Sequence, residues 1–450
     1  MRGLPVFLLC FGLTYAQLDS WTAIELDAGG DGPTYGIAAG DLTGDGNADI
    51  VCGSYFWRSP GGDLESGWVR KDLGGADACA IVDVDGDEFG DVIVVAGDGT
   101  YWCEAQDANG DSWSRDKVAN ISKSEHTDLQ GYQVAVLEDG KNPSIIVNIG
   151  GVVAITIPDN PEAGNWPTQT LNSSSSIGLG AGDIDEDGDI DIAGGTSTVW
   201  WLENPGTIAG SWTKHDIASG LSVDRVEIAD IDGDGDGDVV MAEEKFGQTG
   251  AKVIIYEAPD WTAHELVTCS CTHGYMSMHV ADFDYDGNLD VVTGEGGSNC
   301  KVEIWVNEGS WQFERKEVSA NSSRQSHIGV VPADLNGDGG IDIVSNSYLQ
   351  DSKVFVWRNN HPVASVEDRQ GLLHGNNASS PFVTVHNGKL RVSEGSGQVS
   401  LAVFDMAGHL IGRANGAAPV SGIKIPQSGI YIARITNRTN QAVFRINLTK

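Results

Sequence analysis

One acidic pattern, D-x-[D/N/T]-x-D-x-x-x-D, recurs six times along this chain, and no other feature limits its fold as strongly. The copies begin at Asp41 (DLTGDGNAD), Asp83 (DVDGDEFGD), Asp183 (DIDEDGDID), Asp230 (DIDGDGDGD), Asp282 (DFDYDGNLD) and Asp334 (DLNGDGGID). A seventh place falls in register near Glu138, in VAVLEDGKNPSIIV, but it is shortened and has lost most of its carboxylates. No calcium is expected there.

A second landmark keeps the same beat. Trp21, Trp68, Trp113, Trp166, Trp212, Trp261 and Trp311 lead short strand-like runs at intervals of 45 to 53 residues. Between landmarks lie aromatic runs such as VWWLEN (199–204), KVEIWVN (301–307) and VFVWRN (354–359). One unit therefore reads as four strands: a small-residue strand, an apolar strand after the acidic loop, an aromatic strand and a Trp strand. Four strands in about 40 to 50 residues is the signature of a propeller blade. Trp21 supplies a lone fourth strand at the start, and the last unit stops at its third. The N-terminal strand is thus expected to complete the last blade, which removes the open sheet edges. The expected fold is all-β: a seven-bladed β-propeller over 17–360, a linker over 361–380 and a small C-terminal β-sandwich over 381–450.

Carboxylates at positions 1, 3, 5 and 9 of a tight loop converge on one point, which suits Ca²⁺ with its six to eight hard oxygen ligands. Glycine at position 6 permits the sharp turn. An EF-hand would need Glu at position 12, where this chain has Cys52, Val94, Gly194, Met241, Thr293 or Ser345. β-formers follow the loop, so the site is strand-loop-strand. Bare acidic turns would read the same way, but the tight repetition of the spacing favours metal.

With these loops the chain resembles the FG-GAP or VCBS repeat family, known from the integrin α-subunit propeller and from many secreted bacterial proteins. The resemblance covers about residues 20 to 360. It implies calcium ligands at Asp41, Thr43, Asp45 and Asp49; Asp83, Asp85, Asp87 and Asp91; Asp183, Asp185, Asp187 and Asp191; Asp230, Asp232, Asp234 and Asp238; Asp282, Asp284, Asp286 and Asp290; and Asp334, Asn336, Asp338 and Asp342. Five or six Ca²⁺ ions are expected.

Composition bounds the partners. Acidic residues outnumber basic ones 64 to 27, which argues against a phosphate-binding surface for nucleic acid. Arg2, the apolar run Leu4 to Leu13 and Ala16 read as a signal peptide over 1–16, too short to span a bilayer. No later run is long enough to cross a membrane. The protein is therefore expected to be secreted or at the outer cell surface. Six cysteines follow the leader, and export permits disulfides as readily as buried thiols. Cys300 is expected to pair with Cys271 or Cys269, because both segments reach one face of the sixth blade.

Residues 381–450 carry compact β-patterning. Phe404, Asp405 and Gly408, the Gly429–Ile432 run and a last strand reaching Lys450 are similar to the C-terminal sorting domain of the type IX secretion pathway. That resemblance implies the secretion machinery as a partner.

Packing between blades explains the recurring Trp residues more simply than sugar stacking does. Residues that break the repeat are better ligand candidates: Tyr35, Asp77, His126, Arg225, Tyr275 and His327, on the face opposite the acidic loops. A mixed polar and aromatic rim there suits a glycan or an extracellular protein ligand, though ordinary loop variety would look alike. No G-x-S-x-G, H-E-x-x-H or P-loop pattern occurs. Two functions remain: a binding or adhesion module with calcium as a staple, or a calcium-dependent sugar lyase or dehydratase. The enzyme would place His126 or His327 beside a charged residue at the channel mouth.

Overall fold

The computed structural model describes residues 18–27, 36–74, 77–87, 89–107, 109–122, 132–297, 300–319, 327–347 and 353–361, and beyond them the backbone of strands between 383 and 448. The expected signal peptide, 1–16, and the expected linker after His361 lie outside the described residues.

The described residues between 21 and 359 form seven four-stranded antiparallel sheets, arranged as a β-propeller. Blade 4 is representative: Leu179–Gly182, Asp191–Gly195, Thr198–Glu203 and Thr213–Ser219, paired in that order. Blades 1, 2 and 3 precede it with first strands Ile37–Gly40, Asp77–Val82 and Gln133–Ala135. Blades 5, 6 and 7 follow with first strands Val223–Ala229, Gly274–Ala281 and His327–Ala333.

Closure occurs as the two incomplete ends require. Trp21–Asp27 pairs antiparallel with Lys353–Asn359, from Trp21 opposite Asn359 to Asp27 opposite Lys353. The strand Trp21–Asp27 is thus the outer strand of blade 7, and the open edge of that blade is covered.

The sequence of each strand follows from its depth in the blade. Second strands such as Asp91–Ala96 and Asp238–Glu243 are buried along their whole length, because neighbouring blades cover both faces. They therefore read as apolar runs without alternation. Fourth strands such as Thr213–Ser219 are largely solvated. First strands such as Ile37–Gly40 and Leu179–Gly182 are small because they approach the next blade closely: a Cβ on Gly180 would stand 2.9 Å from the Glu227 backbone. The cores lie between blades. One joins Ile93 and Trp102 of blade 2 to Ile145 and Ile155 of blade 3. Another joins Ile50 and Trp57 of blade 1 to Val344 and Val356 of blade 7.

Five of the strand-leading Trp residues latch the turn before their own strand. The indole N–H groups of Trp21, Trp68, Trp113, Trp166 and Trp212 donate to Leu18, Leu64, Gly110, Pro161 and Ile208 carbonyls at 2.8–3.3 Å. Trp261 and Trp311 differ. Both take left-handed φ, 57° and 59°, which is unusual for a bulky side chain.

Beyond the propeller, Val383–His386, Lys389–Val392 and Val420–Lys424 form one sheet. Leu410–Ala417, Gln398–Phe404, Gly429–Asn437 and Gln441–Leu448 form a second, in that order. Whether the two pack as the expected sandwich rests on side chains outside the described residues. Among the described residues no helix is long and apolar enough to cross a membrane.

Candidate functional site

Each acidic loop joins the first strand of its blade to the second. Position 9 anchors it. In the loop of blade 6, Asp290 accepts the Phe283 N–H on one carboxylate oxygen and the Asn307 N–H on the other, both at 2.8 Å. Asp49, Asp91, Asp191, Asp238 and Asp342 do the same with their own loop and the end of their third strand. These aspartates are 0–1 % exposed. Position 9 is therefore a backbone staple as well as a candidate ligand, a role the sequence reading did not assign.

The remaining positions shape the turn. The Asp282 carboxylate accepts from the Asp286 and Gly287 N–H groups, both at 3.1 Å. Asp41 treats Asp45 and Gly46 alike, at 3.1 and 2.9 Å. Gly287 and Gly46 hold φ of 99° and 90°, a conformation that favours glycine.

In four of the loops three carboxylate oxygens gather, the kind of hard donor a divalent cation takes. One oxygen from each of Asp83, Asp85 and Asp91 lies within 4.8 Å of the other two; so it is for Asp183, Asp185 and Asp191, for Asp230, Asp232 and Asp234, and for Asp282, Asp284 and Asp290. Blades 1 and 7 substitute Thr43 and Asn336 at position 3. The Thr43 hydroxyl is buried without a hydrogen-bond partner, as an oxygen awaiting a cation would be. Burial, reinforced by the neighbouring carboxylates, pushes Asp49, Asp91 and Asp282 up to about 7. The same causes push Asp191 and Asp238 up to about 8. A bound cation would relieve both causes, by replacing lost hydration and by neutralising charge.

The loops also tie blade to blade. Gly90 N–H donates to the Leu42 carbonyl at 3.2 Å, Gly237 to Ile184 at 3.3 Å and Ala48 to Asp334 at 3.0 Å. Asn204 and Asn307 close their third strands and reach across to the Leu137 and Ile231 carbonyls, at 3.0 and 2.8 Å. In blade 3, Glu138 accepts from Thr207 and from the Ile208 N–H of blade 4, at 2.9 and 3.1 Å. Its carboxylate is committed to that turn.

The opposite face holds the other candidates. Arg225 and Tyr275 are 6 % and 0 % exposed, and Asp77 is 8 % exposed. Arg225 pairs with Asp224 at 2.5 Å and donates to the Met276 carbonyl. Tyr35 and His126 lie outside the described residues, and for His327 only the strand is described. The pair expected of an enzyme is therefore not testable at those histidines. A histidine–carboxylate pair does join two first strands: His279 Nδ1 lies 3.0 Å from Glu227 of the neighbouring blade.

Cys269 bonds to Cys271, across a Cα separation of 5.2 Å. This corrects the expected pairing with Cys300, whose thiol donates to the Gly297 carbonyl at 2.8 Å. The two segments do meet: Cys269 Sγ lies 3.3 Å from Glu295 in the same blade. With a single intervening residue, the turn itself brings Cys269 and Cys271 together.

A cleft opens where blade 5 borders blade 6. Ile255, His264, Glu265, Leu266, Trp305, Trp311 and Phe313 line a cavity of about 150 Å³. The His264 ring stacks on Trp311, with centroids 3.7 Å apart and planes 4° apart, and pairs with Glu257 at 2.7 Å. The border of blades 4 and 5 differs: His215 stacks on Trp201 of its own blade at 4.5 Å and pairs with Glu203 at 2.8 Å, and Trp201 in turn meets Trp261 across the border at 6.3 Å.

Residues 282–345 match the FG-GAP-like repeat family. The FG-GAP-like stretch runs from the acidic loop of blade 6 through that of blade 7. No match was found among curated proteins. Among solved structures, an Agrocybe aegerita lectin described in terms of its recognition of non-reducing terminal N-acetylglucosamine is similar at 15% identity. The match covers 92% of this chain and 99% of the lectin, with a TM-score of 0.46. YCF48 bound to D1 peptide is similar at 12% identity, covering 78% of this chain and 99% of that one, also at 0.46.

Proposed function

We propose that this chain is an exported, calcium-stabilised propeller that binds carbohydrate in the clefts at its blade borders. The observation that carries the binding reading is the cleft of Trp305, Trp311 and Phe313. Two of the seven strand-leading Trp residues leave the latch geometry and adopt left-handed backbone, and of these Trp311 lines the cleft. Strain of that kind costs about 1–3 kcal/mol and persists where the surroundings enforce it. The cavity is small beside the roughly 300–1,000 Å³ of pockets for drug-sized ligands. It suits one ring, with Trp305 and Phe313 for the apolar side of a sugar, while His264, stacked on Trp311 and paired with Glu257, and Glu265, bonded to Lys252 and Thr268, form its wall.

Calcium would hold the loops that fasten the blades, and so would fix the borders where the clefts lie. A glycan array with the full chain in calcium buffer tests the reading. Binding to a defined sugar class, lost in Trp311→Ala while the calcium-bound melting temperature stays within a few degrees, is the expected result. Absence of any glycan signal from calcium-loaded protein overturns it.

Export rests on the leader and the C-terminal segment. Deleting residues 376–450 should leave calcium binding intact and abolish surface delivery. Normal delivery of the truncated chain would refute the sorting role.

A further inference from the structure

The acidic loops offer only oxygen. On the opposite face of the propeller, between blades 5 and 6, a different donor set gathers. Cys269 and Cys271 lie in the first half of the connection into blade 6, between Thr268 and Gly274, and Glu295 lies near the end of that blade's second strand, Asp290–Gly296. One sulfur from each cysteine and one Glu295 oxygen all lie within 4.8 Å of one another. The three side chains belong to residues 4 %, 5 % and 4 % exposed.

We propose that Cys269, Cys271 and Glu295 form a site for a thiophilic divalent cation of the zinc type, available when the bond between the two cysteines is reduced. Three features support it. The first is chemistry: two thiolates and one carboxylate suit zinc and its congeners, whereas calcium takes hard oxygen. The second is rigidity. Cys269 N–H donates to the Ala251 carbonyl at 2.7 Å, and Glu295 N–H to the Lys301 carbonyl at 2.9 Å, so both segments are pinned by backbone. The third is what surrounds Glu295. Glu303 is hydrogen-bonded by Arg315 at 2.6 Å and has Lys301 at 3.5 Å, so that carboxylate is compensated. Tyr275 stands opposite Glu295 in the strand pair, is 0 % exposed, and its buried hydroxyl has no hydrogen-bond partner. A cation on Glu295, with one coordination place left for water, gives that hydroxyl a neighbour to bond.

The chemistry balances with one added reactant. An external dithiol transfers two electrons and two protons to the Cys269–Cys271 bond and becomes a disulfide itself. The cation then replaces the two thiol protons, which leave to solvent. The oxidised pair cannot act as two thiolates, so the site is closed until reduction.

The test uses the full chain with saturating calcium, which occupies the oxygen loops, and cadmium as the spectroscopic probe. Before reduction, cadmium should give no thiolate charge-transfer absorption in the near ultraviolet. After reduction by a dithiol, with two new thiols counted, one equivalent should produce that band. Cys269→Ser or Cys271→Ser should abolish it. Glu295→Gln, which keeps both thiols and nearly the same shape, should weaken cadmium binding at least tenfold. The proposal is overturned if the pair resists reduction in the folded protein, if no band forms after two thiols are counted, or if the band survives in the serine variants. It is also overturned if Glu295→Gln binds cadmium as tightly as the parent.

Discussion

Asp290 gives one carboxylate oxygen to the Phe283 N–H and the other to the Asn307 N–H, while standing beside Asp282 and Asp284. Asp284 accepts only from within its own loop, at the Asp286 N–H. Substitution should separate the two roles. Asp290→Ala leaves two buried donors unmatched and should cost about 2–4 kcal/mol with or without calcium. Asp284→Ala removes a ligand and a source of repulsion, so it should lower stability in calcium and spare or raise it under a chelator. Paired urea titrations check this, and equal losses in both buffers for Asp284→Ala would count against a metal at that loop. Acidity gives a second handle. Burial raises Asp191 and Asp238 to about 8 and Asp49 to about 7 in the cation-free fold, from an ordinary 3.8. Between about pH 4 and 8 the folded chain then holds more protons than the unfolded one, so cation-free stability falls as pH rises through that window. Calcium should flatten the fall. A cation-free melting temperature that climbs from pH 5 to 8 would contradict the assignment.

At the scale of strands and turns, the sequence was most legible where a residue type repeats for a local reason. The six loops, the apolar second strands and the small first strands all follow from burial and spacing, and the structure has them in place. Less legible were residues whose role is defined by a neighbouring blade. Asn204 and Asn307 end their third strands in the runs VWWLEN and KVEIWVN, so a terminal Asn was visible. Its bond to the Leu137 or Ile231 carbonyl, 67 or 76 residues away, was not. The same holds for Trp261 and Trp311, which share a sequence position with the five latching Trp residues but differ in backbone. Arg225 and Tyr275 broke the repeat and so looked like rim residues, yet the ion pair with Asp224 and the sheet interior bury them. Asn307→Ala should therefore cost about 1–3 kcal/mol, since it removes a buried inter-blade bond. Trp113→Phe, which deletes the indole donor to Gly110 and one of the two fused rings that pack beside Phe56, should cost about 1 kcal/mol. Calorimetry on the two variants should rank them in that order, and a neutral Asn307→Ala would show that blades 5 and 6 do not depend on that bond.

For the whole molecule, closure is the decisive step, because a ring of blades is only as secure as its last seam. That seam is the pairing of Trp21–Asp27 with Lys353–Asn359. It is reinforced by Thr22 donating to the Asn360 side chain at 2.9 Å, and by Asn360 N–H donating to the Ser20 carbonyl at 3.0 Å. On the inner side it packs Ile24 and Leu26 into the core shared with Ile50 and Val344. Removing the chain up to Asp27 would expose the N–H and C=O row of Lys353–Asn359 and uncover that core. An exposed, apolar strand edge pairs with other chains. The truncated protein should melt at a lower temperature and associate in a concentration-dependent way, read by light scattering after size exclusion. A synthetic peptide spanning 17–27 should restore the monomer by taking the vacant place. Truncated protein that stays monomeric with an unchanged melting temperature would mean that the seam is held elsewhere.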